Sequence, residues 1–394
     1  MVPDDLRHIE RPIVVVDGRR LTAQATGVGR YLSLLLDRWA ESAESLSFEP
    51  VVVLHQDRPR SLDPWKSVFR HQVIGSGSPG WIWENLHLAG AGNRELTLFA
   101  PANLVPWRWQ GPVVLVVHDT FCEHADAQIP WMAKLRFRGR YRRSARGADL
   151  VLTPSRSTAE DVRRHFGLAP GRVRFIRPGI PQVPDRSSDP DSLATRLGLD
   201  SPFVLFVGKT SARRDFRAVI EAVARISERG TNLKLVRVGP PSAEPTRSSH
   251  TLDLGHVPDE LLAGLYRQAL ALVWPSAREG FGLPVLEAMA HGCPVITRPV
   301  NALSELCQGS CLELSDTRAD TIAAAITEIM ADTELRSRLI RSGLERAKVF
   351  DDRHFADEVA GAIASVAVHS SSHQRGGTSG QAFALGRRAV KIQH

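Results

Sequence analysis

Apolar residues along this chain fall into two alternating patterns. Short continuous runs suit strands buried on both faces, and stretches with apolar positions three and four apart suit amphipathic helices. Strands are predicted at Ile13–Val16, Val51–Leu54, Leu96–Phe99, Val113–Val117, Leu150–Thr153 and Arg172–Ile176. Between the first two, Val28, Leu32, Leu35, Leu36 and Trp39 share a helical face, and Thr158–Phe166 predicts a second helix. The series restarts at Phe203–Val207 and runs through a helix at Asp215–Glu228 and strands at Leu233–Val238 and Ala271–Trp274. A helix at Pro284–His291 and a strand at Val295–Thr297 follow. Three late helices are marked by Ile322/Ile326/Ile329/Met330, Leu335/Leu339/Leu344/Ala347 and Phe355/Val359/Ile363/Val366. Such alternation predicts an α/β protein with parallel sheets.

The 394 residues suit two domains at ~150 residues each. The composition shifts at Pro181–Pro202, a stretch rich in Pro, Ser and Asp that reads as an interdomain linker. This divides the chain into a first domain over 1–180 and a second over 203–351. Residues 369–394 hold no acidic side chain and many Ser and Gly, which predicts a disordered tail.

Composition narrows the classes. The apolar runs fall far short of the ~18 residues of a membrane span. Met1–Pro12 is charged and lacks an apolar segment, so a cytoplasmic protein is expected. The four cysteines, Cys122, Cys293, Cys307 and Cys311, are too few and scattered for a disulfide framework and are expected as thiols. The net charge of +7 suits an anionic partner without choosing among nucleotides, phospholipid surfaces and nucleic acid.

The densest chemistry lies in residues 276–297, SAREGFGLPVLEAMAHGCPVIT. Pro284 suits the first position of a helix. Gly280 and Gly282 allow the preceding loop to bend and approach a ligand with its backbone. The helix start then offers N–H groups and the positive end of a dipole, at the carboxyl edge of a parallel sheet. Glu287 is expected on the first turn of that helix and Glu279 on the loop, each with two oxygens suited to a vicinal diol.

This segment resembles the Glu-x7-Glu signature of the family 4 glycosyltransferases, which have the GT-B fold of two Rossmann-like domains around a cleft. The resemblance covers roughly residues 12–367. It implies a retaining transfer of a hexose from a nucleoside diphosphate sugar, GDP- or UDP-linked, to a hydroxyl acceptor, either soluble or lipid-linked. It implies no metal and no other cofactor, and no nucleic-acid partner. Glu279 would contact the donor sugar and Glu287 the ribose, with Gly280, Phe281, Gly282 and Leu283 between them. The helix at about 352–367 would return to the first domain. Asn301–Leu306 (NALSEL) resembles the family's Gly-x-L-P-E stretch, with Asn301 for glycine and Ser304 for proline.

Lys209, Arg213 and Arg214 follow the strand Phe203–Val207, where cations can neutralise a leaving diphosphate. They resemble the family's phosphate-binding positions, with Lys209 for an arginine, Arg214 for a lysine and Asp215 for an asparagine. Gly27 and Gly29, in GVGRY, resemble the family's Gly-rich loop near the donor phosphates. His118 ends the strand Val113–Val117. By itself it is an ordinary strand-end histidine; by resemblance it approaches the donor sugar, and the adjacent Asp119 carboxylate is expected to orient its ring, as carboxylates do for functional imidazoles. Seven Lys/Arg between Lys134 and Arg146 spread around a helix and read as a solvated surface or as a contact for anionic lipid at the inner membrane face. Asp189-Pro-Asp191 spells a metal-binding DxD but sits in the linker around a proline, and is read as solvated.

Two other classes remain open. A Rossmann dehydrogenase or epimerase would need a dinucleotide fingerprint, and GVGRY lacks its third glycine. A non-catalytic sugar-binding module would bind without turnover, so donor hydrolysis separates it from a transferase.

Overall fold

The computed structural model describes residues 11–22, 26–57, 63–124, 130–181, 197, 199, 201–241 and 249–372. The linker 182–196, with Asp189-Pro-Asp191, lies outside these residues, as do the first ten residues and the tail from 373.

Two parallel sheets account for the alternating pattern. The first comprises β1 (Ile13–Asp17), β2 (Glu49–Leu54), β3 (Arg70–Val73), β4 (Thr97–Ala100), β5 (Val113–Val116), β6 (Leu150–Thr153) and β7 (Val173–Phe175), in the order β3-β2-β1-β4-β5-β6-β7. Helices α1 (Gly27–Glu41), α2 (Trp131–Gly147) and α3 (Arg156–Phe166) belong to it. One apolar cluster forms on each face of this sheet, with Val14 and Val16 in one and Val15 in the other, as the two-residue period of a strand requires.

The second sheet has the order β10-β9-β8-β11-β12-β13. In chain order it is built from β8 (Phe203–Val207), α4 (Phe216–Glu228), β9 (Lys234–Val238), β10 (Thr251–Asp253), α5 (Asp259–Gln268) and β11 (Ala271–Trp274). These are followed by α6 (Leu283–Ala290), β12 (Val295–Thr297), α7 (Ala302–Cys307), β13 (Leu312–Glu313), α8 (Ala319–Ala331) and α9 (Thr333–Ala347). Strand order reverses between β8 and β11. Loops leaving neighbouring strands there diverge and open a crevice at their carboxyl ends. Both cationic and acidic candidate segments sit on those two loops.

The last helix, α10 (Asp352–Ser372), packs against α1, β4 and β5 of the first sheet. Phe355, Val359, Ala362 and Ile363 lie in the first sheet's core, and the Trp39 indole donates to the Ala356 carbonyl at 3.0 Å. The two crossings between sheets run side by side, bridged at Ile180 and Asp351. Gly179 is required there, because a Cβ would sit 2.3 Å from the Asp352 Cα.

Several expectations need correction. Helix α6 begins at Leu283, so Pro284 is its second residue and Glu287 lies on its second turn. The last helix extends to Ser372, so residues 369–372 of the expected tail are helical. Cys307 and Cys311 are paired as a disulfide rather than present as thiols, their Cα atoms 5.6 Å apart across the end of α7.

Ile363 is fully buried under the first sheet. Ile363→Ala should therefore destabilise that domain by about 2–5 kcal/mol, through lost burial and a residual cavity. Urea denaturation checks this, and a loss below 1 kcal/mol would mean that α10 contributes little to the core.

Candidate active site

Side chains from both domains converge where the loops after β8 and β11 face the end of β5. Glu279, on the loop after β11, retains only 8% of its surface exposure. Its Oε1 accepts from Arg214 Nε at 2.8 Å and from the Ser276 hydroxyl at 3.0 Å. Its Oε2 lies 3.4 Å from Arg214 Nη2 and 3.5 Å from Arg213 Nη2. Burial pushes the carboxyl pKa up, but Arg214, Arg213 and the Ser276 hydroxyl outweigh it and hold the group below its ordinary value. Glu279 is thus an ionised carboxylate in a nearly dry setting.

Arg214 lies over the Trp274 ring at 4.5 Å, so the last residue of β11 supports the guanidinium that pairs with Glu279. The Ala277 amide donates to the Arg213 carbonyl at 2.8 Å, fastening the two loops together. Lys209 is exposed at the mouth of the same loop, and its carbonyl accepts from Arg214. Asp215 turns away from this cluster. It adopts a left-handed backbone with φ of 43°, and its carboxylate accepts from the Thr317 hydroxyl at 2.6 Å.

Glu287 faces the first domain. Its Oε1 accepts from Arg30 Nη1 at 2.7 Å and its Oε2 from the Tyr266 hydroxyl at 3.0 Å. Arg30 also pairs with Asp259, so one α1 side chain bridges to α5 and α6. Gly27 opens α1 opposite Leu283, whose side chain would touch a Cβ there at 3.6 Å. Gly29 has a packing role instead: its amide donates to the Thr26 hydroxyl cap, and a Cβ would lie 2.6 Å from the Arg20 carbonyl. Phe281 packs edge-on against Phe350. Gly282 turns the chain into α6 with φ of 104°.

His118 enters from β5. Its Nε2 bonds the Pro101 carbonyl at 2.7 Å, and Tyr31 packs edge-on against the ring at 5.0 Å. The ring is therefore oriented by Pro101, not by Asp119 as expected. Asp119 accepts from the Phe121 amide and lies 4.0 Å from Arg213. Burial pushes the His118 pKa down to about 4, against the opposing pull of the Pro101 carbonyl. The imidazole is neutral, with its proton on Nε2 and a lone pair on Nδ1.

At Gly280 the domains approach backbone to backbone. A Cβ on Gly280 would stand 1.7 Å from the His118 carbonyl oxygen, so glycine is mandatory there. The Thr158 hydroxyl donates to the Gly280 carbonyl at 3.2 Å. Glu305, on α7, accepts from the Arg156 and Ser157 amides at 2.9 and 2.6 Å and so caps the first turn of α3. Asn301 adopts φ of 50° at the place where the resembling stretch has glycine, and its side-chain oxygen accepts from Arg278.

Arg30 and Tyr266 were not foreseen from the sequence. Each looks like an ordinary helix residue. Arg30 reaches Glu287 only through the meeting of the two domains, and Tyr266 through the packing of α5 against α6 within the second domain.

A family model described as "Glycosyl transferases group 1" matches residues 194–346, and one described as "Glycosyltransferase Family 4" matches residues 26–182. The O-antigen chain mannosyltransferase B of Escherichia coli is 33% identical over 159 residues, 38% of this chain and 42% of that protein. A D-inositol 3-phosphate glycosyltransferase of Xylanimonas cellulosilytica is 28% identical over 242 residues, 56% of each chain. The matches thus span about half the length of these curated relatives. Among solved structures, Anabaena HepE in complex with UDP and glucose superimposes with a TM-score of 0.69 at 16% identity, over 90% of this chain and 100% of that one. WaaG, a glycosyltransferase involved in lipopolysaccharide biosynthesis, gives 0.69 at 17% identity, over 89% and 99%.

The contact at Gly280 generates a direct test. Gly280→Ala cannot be accommodated against the His118 carbonyl without separating the domains, while each domain's own core is untouched. Small-angle scattering should show a larger radius of gyration with unchanged secondary structure by circular dichroism. An unaltered scattering profile would show that the two backbones do not meet in solution.

Proposed function

The chain belongs to the group 1, family 4 glycosyltransferases of GT-B fold, and from that premise we propose that it transfers a hexose from a nucleoside diphosphate sugar to a hydroxyl acceptor. The observation that carries this reading is Glu279: an ionised, buried carboxylate beside two guanidiniums at the carboxyl edge of a parallel sheet. A sugar has hydroxyls to offer that carboxylate, and a diphosphate has charge to share with the cations.

In this reading Lys209, Arg213 and Arg214 meet the diphosphate and offset the negative charge that develops as the glycosyl bond breaks. Glu279 Oε2, whose nearest cations stand 3.4 and 3.5 Å away, accepts from a sugar hydroxyl. Glu287 accepts from the ribose diol once Arg30 yields its place, while Tyr266 continues to hold the other oxygen. His118 lines the sugar side of the cleft as a neutral imidazole. Retention of anomeric configuration and independence from metal come to this chain by its family resemblance. A hexose of mannose or glucose type, on UDP or GDP, is consistent with what the relatives' names and the HepE complexes mention.

Glu279→Gln and Glu287→Gln should each lower kcat/KM by an amount equivalent to ~1.5–3 kcal/mol, since each removes a charged hydrogen-bonding partner of the donor. A panel of UDP- and GDP-sugars, screened by thermal shift and then by turnover with EDTA present, identifies the donor for that measurement. Unchanged kinetics in both variants would overturn the site, and turnover that depends on added metal would overturn the role given to the cations.

The acceptor side points to a membrane surface. At the head of α2, Trp131, Met132 and Leu135 are 74%, 67% and 63% exposed, with Arg136 beside them. An exposed apolar tip with a basic neighbour suits the interface of an anionic bilayer. No helix among the described residues is long and apolar enough to cross a membrane. The acceptor would be a lipid-linked hydroxyl at the inner face. Sedimentation with anionic vesicles at low salt should carry the protein down, and Trp131→Ser with Leu135→Ser should abolish it. Negligible binding to anionic vesicles by the unmodified chain would shift the acceptor to a soluble molecule.

A further inference from the structure

Beside the residues assigned above, one cluster has no part in the chemistry described. His124 follows the short helical turn after β5, and Asp161 and His165 lie four residues apart on one face of α3. His124 Nε2 stands 3.0 Å from Asp161 Oδ2, and His165 Nε2 stands 3.9 Å from Asp161 Oδ1. One candidate ligand atom from each residue lies within 4.8 Å of the other two.

We propose that His124, Asp161 and His165 form a binding site for one zinc-like divalent transition-metal ion, separate from the donor-phosphate region. Two imidazoles and one carboxylate are the ligand set of an open zinc site, with the fourth position left to water. Bonds of about 2.0–2.2 Å in tetrahedral geometry put ligand atoms about 3.3 Å apart, so the rings need only a small inward adjustment. The two imidazoles disfavour calcium and magnesium, which take oxygen ligands.

The surroundings hold these groups in place. The Thr120 hydroxyl, buried, donates to Asp161 Oδ2 at 3.0 Å and orients the carboxylate as an outer-shell partner. The carbonyl of His124 accepts from Lys134, and those of Cys122 and Glu123 accept from Arg138 at 2.7 and 2.8 Å. The loop that carries His124 is therefore clamped to α2. The three side chains are 14%, 17% and 25% exposed, so an ion can reach them from solvent.

Arg278 sets the electrostatics of the site. Its Nη1 stands 3.8 Å from Asp161 Oδ2 and reaches across from the loop that holds Glu279. A metal ion would take over Asp161 from this guanidinium and repel it. The site is thus a place where metal and interdomain contact compete for one carboxylate.

The test uses the full chain, stripped with a chelator and dialysed, with zinc and cobalt(II) as probes. Calorimetry should give one zinc per chain, and cobalt should give the visible absorption of a tetrahedral nitrogen-and-oxygen site. His124→Gln and His165→Gln, each checked by thermal melting, should weaken zinc by more than 100-fold, beyond the roughly 10–100-fold expected when only an orienting partner is lost, as in Thr120→Val. Arg278→Ala should tighten zinc severalfold. Absence of stoichiometric binding by the unmodified chain overturns the proposal. Equal affinity in either folded histidine variant does so as well. Neither result touches the transferase reading, which rests on other residues.

Discussion

A carboxylate withdrawn from water must have its charge answered where it stands, and Glu279 is answered by Arg214 and Arg213. Breaking a buried pair by removing one partner costs about 3–5 kcal/mol, so this cluster constrains everything nearby. Arg214 pairs with Glu279 while lying over the ring of Trp274, which ends β11. Arg213 reaches it from a backbone whose carbonyl is tied to Ala277. The loops after β8 and β11 therefore behave as one unit, and Gly280 emerges from it directly against the His118 carbonyl. Placement of the cleft follows from where that one charge is satisfied.

Contacts between the domains are of a different kind. Arg30 with Glu287 and Asp259, Glu305 with the first amides of α3, and Arg278 with Asp161 are polar and partly solvated. Such contacts are open to exchange with polar ligands and water, whereas the apolar clusters close within each domain. The exception is α10, which carries its apolar face across to the first domain and makes the connection permanent at one end of the cleft. The structure thus combines a fixed hinge side with an opposite side held by exchangeable charges. Glu287 illustrates the consequence: the carboxylate proposed for a diol is occupied by a cation that a polar ligand can displace.

How much of this was legible in the sequence depended on burial. Strands such as Phe203–Val207 and Ala271–Trp274, buried on both faces, announce themselves as unbroken apolar runs. The edge strands β3, β10 and β13 do not. Arg70-His-Gln-Val73 has a neighbour on only one side and can be polar without penalty, so no periodicity marks it. Helix α5, likewise, drew no prediction, although its buried Leu262, Leu265 and Tyr266 share a face. At the site, Glu279 and Glu287 were legible because the loop–proline–helix pattern is local. Arg30 and Tyr266 were not, since their meeting with Glu287 spans 257 and 21 residues of chain and needs the fold itself. The contacts of Gly29 and Phe281 were not legible for a related reason. Adjacency to functional residues in sequence does not say what a residue touches: Gly29 lies against the Arg20 backbone with its amide in the Thr26 cap, and the Phe281 ring packs on Phe350.

The basic run on α2 shows the same principle applied to charge. Counted in sequence, Lys134–Arg146 looks like a uniform cationic surface. In the fold, Arg138 and Arg142 converge on Glu123, Arg140 reaches Glu84, and Lys134 binds the His124 carbonyl. These charges are used to hold the segment that leaves β5, whose one end presents His118 to the cleft and whose other end presents His124 beside Asp161. What remains for a partner on the outside is chiefly apolar: Trp131, Met132 and Leu135 at the helix head. A bilayer contact on this face would therefore depend on insertion of those three side chains more than on the net charge of the helix, with a correspondingly weak dependence on salt once they are in.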